Sequence, residues 1–180
     1  MVTNINTPME NLIRRLEDIS EWSGRATAWL TLFMVIITFL VVVLRYLFNT
    51  GWIALQESIT YMHAFVFLLG AAYTLKHEGH VRVDIFYRKL SPQGRALVDL
   101  LGVIFLLLPV VLFITVASWD YVLNAWELRE GSPEAGGLPF VYVLKSAMLL
   151  MTSLLLLQGL ALLLRSCLNL RQPQEKSGTP

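Results

Sequence analysis

The sequence has 180 residues, of which 56% are apolar and 15% are charged, and the formal net charge is +1. Ordinary soluble domains contain about 45–50% apolar and about 25% charged residues, so this composition excludes an ordinary soluble domain and indicates a membrane protein. We expect no nucleic-acid partner. The single cysteine, Cys167, cannot form an internal disulfide.

The first 25 residues carry the pattern of an amphipathic helix. Residues 7–10, Thr-Pro-Met-Glu, form a capping box with proline at the first helical position. Apolar residues then recur at steps of three and four, which places them on one helix face: Leu12, Ile13, Leu16 and Ile19. We expect residues 1–25 to form a helix that lies at the lipid headgroups on the cytoplasmic side, with docking on a partner as the alternative.

Four apolar stretches are long enough to cross a bilayer, which takes about 20 helical residues. They cover about residues 26–45, 52–75, 96–119 and 138–164. The predicted fold class is therefore an all-α membrane protein, with a four-helix transmembrane domain over residues 26–166 and a short interfacial segment between the second and third helices. We expect residues 167–180 to be a disordered cytoplasmic tail.

Lysine and arginine are unevenly distributed over the segments that flank the spans. The amino-terminal segment, the connection between spans two and three and the tail carry Arg14, Arg15, Arg25, Lys76, Arg82, Arg88, Lys89, Arg95, Arg165, Arg171 and Lys176. The other two connections have one each, Arg45 and Arg129. Because positively charged loops stay in the cytoplasm, we expect both termini and the central connection to be cytoplasmic.

Charged residues within the spans lie close to the span ends. Arg45, Glu57 and Lys145 fall near the predicted outer boundary, and we expect Glu57 to contact Arg45 or Lys145. Asp99 lies at the inner boundary one turn after Arg95, which predicts a local pair. No charge is deep enough to indicate a proton relay or an ion path.

The second span has a stripe of polar and small residues along one helix face. Its members, separated by four and three residues in turn, are Gln56, Thr60, His63, Phe67, Gly70 and Thr74. Such a face is normally buried against protein, which leaves two alternatives: packing among these four helices, or a surface for another membrane subunit. His63 could ligate haem only with a second histidine at similar depth, so we expect no cofactor.

The stretch Ala71–Leu90 changes from apolar to basic, which indicates a membrane boundary. Val81, Val83, Ile85 and Phe86, beside Arg82, Arg88 and Lys89, suit an interfacial element on anionic lipid. The alternative is a metal site, because His77, His80 and Asp84 are spaced to share a helical face. Gly79 interrupts that helix and no second cluster supplies further ligands, so we expect no metal.

The residues above occur in an order that resembles a known family. Arg45-Tyr46, Trp52, Glu57, Gly70-Ala71-Ala72 and Gly79-His80-Val81-Arg82-Val83-Asp84 resemble the small, Q-type membrane subunit of tripartite ATP-independent periplasmic (TRAP) transporters. The later stretch REGSPEAGGLP, residues 129–139, resembles the branch labelled for mannitol or chloroaromatic compounds. The resemblance covers nearly the whole chain, although the branch label says little about the solute.

The resemblance implies a scaffold rather than an enzyme. In such a transporter a periplasmic binding protein captures an organic acid or related solute, a large M-type membrane subunit moves it with sodium, and the small subunit binds the large one. This implies inner-membrane localisation, a large subunit on a separate chain, and contact with lipid. With the stripe of the second span, it gives candidates for structural or partner-contact roles: Arg45, Trp52, Glu57, His63, Gly70, His80 and Asp84.

Two other classes of protein remain as alternatives. One is the membrane anchor, a haem b subunit, of an oxidoreductase, which the scarcity of histidines within the spans opposes. The other is a free-standing small membrane protein such as a channel or an assembly factor. A channel would need a hydrophilic stripe through several spans, and only the second span has one.

Overall fold

The structure, a computed structural model, describes residues 8–79, 87 and 89–171. Its four long helices are α1 (Pro8–Leu47), α2 (Ile53–Lys76), α3 (Pro92–Glu127) and α4 (Val141–Arg171). Each is long and apolar enough to cross a membrane, which confirms the predicted fold class. The predictions for His80, Asp84 and residues 172–180 lie outside the described residues.

The first helix differs from its prediction, because the expected interfacial helix and the first span are one continuous helix of 40 residues. Within α1 no proline follows Pro8, so no proline interrupts the helix near residue 25. Ile13 and Leu16 are buried against Leu157, Ala161, Leu164 and Leu168 of α4. Two residues of the apolar side, Ile13 and Leu16, therefore cover α4 of the same chain, while Leu12 and Ile19 remain exposed.

Small residues allow α1 and α2 to approach closely. On α1 they recur at steps of three and four: Ser20, Ser23, Gly24 and Thr27. A Cβ built on Gly24 would lie 2.8 Å from the Tyr73 Cβ and nearer still to the ring. Ala72 beside it is fully buried. This is the close contact through small residues on which membrane helices depend, since lipid provides no hydrophobic force between them.

The third helix contains one wide, π-helical turn at Val103–Leu107. Pro109 follows it, and a proline in a regular helix would lack an N–H for the carbonyl four residues earlier and would crowd that carbonyl with its ring. The wide turn relieves this conflict. It also presses Leu107 onto α4 at Gly159, where a Cβ would lie 2.7 Å from the Leu107 Cδ2 atom.

The last helix is the centre of the bundle, because α1, α2 and α3 all pack against it. Its buried residues include Ala147, Thr152, Gln158, Ala161 and Ser166. Ser20 Oγ donates a hydrogen bond of 2.7 Å to Gln158 Oε1, so the buried amide oxygen has a partner. We call the end of the bundle that contains residues 8–25, 76–79, 87, 89–95 and 165–171 the terminal end, and the opposite end the far end.

Replacement of Gly24 by alanine should destabilise the protein, although alanine is the better helix former. The added methyl group would clash with Tyr73, and overpacking typically costs about 1–3 kcal/mol. The matched control is Gly102→Ala, because a Cβ there meets nothing within 4 Å and should raise the stability by up to about 1 kcal/mol. Thermal unfolding in detergent measures both, and equal midpoints for the two variants would contradict the close packing.

Candidate functional site

At the far end, a carboxylate on α2 holds the connection between α3 and α4. Glu57 lies one turn into α2. Its Oε2 atom accepts a hydrogen bond of 2.6 Å from the Leu138 N–H, and its Oε1 atom accepts one from the Ser132 hydroxyl. Since Ser132 N–H also donates to the Leu138 carbonyl at 3.0 Å, the loop closes on itself around the carboxylate.

The glycines of this loop make room for the Glu57 side chain. Gly136 has a φ of 81°, which L side chains rarely adopt. A Cβ on Gly137 would lie 2.8 Å from Glu57 Oε1 and closer to the Ser132 side chain. The stretch at residues 129–139, which was quoted for its resemblance, is therefore a loop that binds a carboxylate through a hydroxyl and a backbone N–H.

The predicted contact of Glu57 with Arg45 or Lys145 is wrong. Lys145 Nζ lies 2.5 Å from Glu130 Oε2 and 3.8 Å from the centroid of the Tyr121 ring. Arg45 is exposed at the last turn of α1. The physical reason is that the Leu138 N–H and the Ser132 hydroxyl already hold the carboxylate. Trp52, also a candidate, is the exposed residue before α2 and makes no side-chain cap.

At the terminal end, Glu21 joins α1 to the end of α2. Its Oε2 atom lies 2.9 Å from Lys76 Nζ and 2.9 Å from His77 Nε2, and Oε1 lies 3.4 Å from Arg25 Nε. Glu21 precedes the uncharged, membrane-spanning part of α1, residues 26–44. The hydrogen bond from Lys76, and next that from His77, lower the pKa of Glu21 to about 2, so the carboxylate is ionised at neutral pH.

Glu21 gave no signal in the sequence, because its partners follow 55 and 56 residues later. His77, which was considered as a metal ligand, stacks on Tyr73 with 4.3 Å between ring centroids and contacts Glu21. Nearby, the Tyr87 hydroxyl donates to Asp99 at 2.8 Å, which gives Asp99 a partner besides any local pair. Among residues 8–79, 87 and 89–171, no three histidine, cysteine or acidic side chains are grouped as a metal would require.

The polar stripe of α2 faces away from the other three helices in its central part. Thr60, His63 and Phe67 are exposed, and a Cβ on Gly70 would meet nothing within 4 Å. The rings of His63 and Phe67 are neighbours, with centroids 6.1 Å apart. Packing among the four helices, one of the two alternatives, therefore does not explain this face. We call these four residues, Thr60, His63, Phe67 and Gly70, the outer face of α2.

The fold and these contacts define a class, a four-span helical membrane protein whose second helix is tied at both ends and has a polar outer face. A family model described as "Tripartite ATP-independent periplasmic transporters, DctQ component" matches residues 34–169. This match runs from the middle of α1 almost to the end of α4. The chain belongs to this family, which confirms the resemblance. Family and spans together indicate a multi-pass protein of the bacterial inner membrane.

Two curated relatives bear printed names from the same family. The C4-dicarboxylate TRAP transporter small permease protein DctQ of Vibrio cholerae is 32% identical over 88 residues, which are 49% of this chain and 38% of the relative. A putative TRAP transporter small permease protein of Haemophilus influenzae is 35% identical over 104 residues, 57% of this chain and 62% of the relative. The matches thus span less than two thirds of either relative. No solved structure matches the chain.

Reversal of the charge at Glu57 should loosen the far end. In Glu57→Lys the ammonium cannot accept hydrogen bonds, so the Leu138 N–H loses its acceptor and the Ser132 hydroxyl can no longer donate to residue 57. We expect a lower thermal midpoint in detergent and faster proteolysis between residues 128 and 140. Arg45→Ala is the control, since Arg45 does not contact Glu57, and it should leave both readouts unchanged. A normal midpoint and normal cleavage in Glu57→Lys would contradict the role of this carboxylate.

Removal of the carboxylate at Glu21 should loosen the terminal end. Glu21→Ala leaves Lys76, whose side chain is only 19% exposed, without this partner. We expect a lower thermal midpoint than for Arg25→Ala, because the Arg25 side chain is 77% exposed and exposed ion pairs contribute little. If both variants unfold at the same temperature, the contact between α1 and the end of α2 does not depend on Glu21.

Proposed function

We propose that the protein is the small permease subunit of a sodium-coupled TRAP transporter. In this proposal it holds a large transport subunit, supplied as a separate chain, for the uptake of an organic acid or a related small solute. A periplasmic binding protein delivers the solute. The observation that carries the proposal is the family match over residues 34–169, and the names of the two relatives support it.

The distribution of polar groups favours a scaffold over a transport site of its own. Transport sites in secondary transporters are commonly built from pairs of broken helices that meet at mid-membrane. In the described part of this chain, the irregularity within a span is the π-helical turn of α3, whose residues are apolar. Glu21 of α1 binds Lys76 at the end of α2. Glu57, near the start of α2, binds the Leu138 N–H of the loop. Each therefore has a structural role.

The proposed orientation places the terminal end in the cytoplasm. It rests on the lysine and arginine residues that flank the spans, which are concentrated in the amino-terminal segment, the central connection and the tail. The loop held by Glu57 then lies on the periplasmic side. The histidines of the described residues do not favour the haem-anchor alternative, because His77 is bound at the terminal end while His63 is near the middle of α2.

Co-purification with a large subunit tests the proposal. We expect the tagged chain, extracted from its native membranes in mild detergent, to bring down one much larger polytopic membrane protein. Proteoliposomes that contain both chains and receive the periplasmic binding protein should take up its solute when sodium, but not choline, is the external cation. Proteoliposomes that lack this chain are the control. Recovery of a haem or iron–sulfur enzyme, or uptake without this chain, would contradict the proposed function.

A further inference from the structure

The histidine on the outer face of α2 lies near the middle of its helix, without a hydrogen-bond partner among the described residues. His63 is about the middle residue of α2, roughly 15 Å along the helix axis from Ile53 at 1.5 Å per residue. Its ring is exposed and contacts the Phe67 ring, and it forms no hydrogen bond to any described residue. The imidazole is too short to reach either membrane surface, unlike lysine or arginine near a helix end.

Three other exposed polar residues in the spans form hydrogen bonds within their own helices. The hydroxyl groups of Thr31, Thr38 and Ser153 donate to backbone carbonyls one turn earlier, at 3.1, 2.7 and 2.7 Å. Hydroxyl groups can do so because they are close to their own backbone. The His63 ring forms no such bond to a described residue, so against lipid its N–H and its ring acceptor would be unpaired. Such a group is unfavourable in the hydrocarbon, where nothing can hydrogen-bond to it.

The rest of the outer face suits the approach of a helix. Gly70 lies two turns beyond His63 on the same side, and the space above its Cα is open. Interfaces between membrane helices combine small residues with side chains that hydrogen-bond across the contact. In contrast, most exposed residues in the middle of α1 and α3 are apolar, among them Phe33, Ile36, Phe39, Phe113 and Val116.

We infer that the outer face of α2, formed by Thr60, His63, Phe67 and Gly70, binds a transmembrane helix of the large subunit. That helix presents a hydrogen-bonding side chain to His63 at mid-membrane depth, and its backbone approaches α2 closely at Gly70. The inference rests on the proposed function, because it assumes that this chain binds a large transport subunit. It goes further by assigning the contact to one face of one helix.

Photo-crosslinking from phenylalanine positions tests the assignment with matched controls. Phe67, Phe113 and Phe39 are 75%, 72% and 70% exposed on α2, α3 and α1, so each can be replaced by p-benzoylphenylalanine with little effect on packing. On irradiation of native membranes, we expect the Phe67 variant to form a covalent product with the large subunit, and the two controls to form little.

The outcomes distinguish failure of the assigned contact surface from failure of the proposed function. If the unmodified chain recovers no large subunit, the proposed function fails. If the complex is recovered but Phe67 forms no product with the large subunit, the assignment to α2 fails while the function stands. Products from Phe113 or Phe39 in place of Phe67 overturn the assignment in the same way. A product of Phe67 with a second copy of this chain would instead show a homo-oligomeric contact.

Substitutions on the outer face provide an independent readout. His63→Leu should lower recovery of the large subunit roughly threefold, the scale of one hydrogen bond between membrane helices, and His63→Gln should restore part of it. Gly70→Leu should lower it further by blocking close approach. Neither leucine variant should reduce the thermal midpoint of the isolated chain, since both positions face open space. Full recovery with both leucine variants would overturn the inference.

Discussion

The fold depends on one constraint, which is that polar groups inside a bilayer must find partners within protein. Gln158 of the fourth span illustrates it, since its side chain is buried and accepts a hydrogen bond of 2.7 Å from Ser20. The exposed hydroxyl groups of Thr31 and Thr38 meet the same requirement through their own helix. Because lipid provides no hydrophobic force between helices, the remaining contacts depend on close packing of small residues, as at Gly24 against Tyr73 and at Gly159 against Leu107.

The second helix is fixed at both ends, and the two ends are held by different means. At the terminal end Glu21 of α1 binds Lys76 and His77, so charge joins the first two helices. At the far end Glu57 of α2 accepts from Leu138 N–H and the Ser132 hydroxyl, so a loop folds around a carboxylate. A helix held in this way cannot rotate freely, and the direction of its outer face is therefore defined.

The spans could be predicted from the sequence because long uncharged stretches have one stable structure in a bilayer. The stripe on α2 could be predicted too, since spacing alone places His63 and Gly70 on one face. The direction in which this stripe faces could not be predicted, because it depends on which sides of α2 are covered by α1 and α4. The partner of Glu57 was missed for a related reason: the Leu138 N–H is a backbone group that every residue carries, and only the folded loop brings it to the carboxylate. The uncharged stretch begins after Arg25, so the prediction placed a boundary between two helices there. A change from charged to uncharged residues does not by itself end a helix, and α1 continues through this position.

A small membrane protein with these features is well suited to hold a partner and poorly suited to move a solute alone. Its carboxylates near the two ends of α2 fix the helices, and the exposed hydroxyl groups of Thr31, Thr38 and Ser153 bond within their own helices, whereas His63 forms no hydrogen bond to a described residue. A rigid α2 orders that face before any partner arrives, so binding need not also immobilise the helix, and less of the interaction free energy is lost to ordering. The loss of conformational freedom occurs when the chain folds, which leaves His63 and Gly70 already aligned for a second helix.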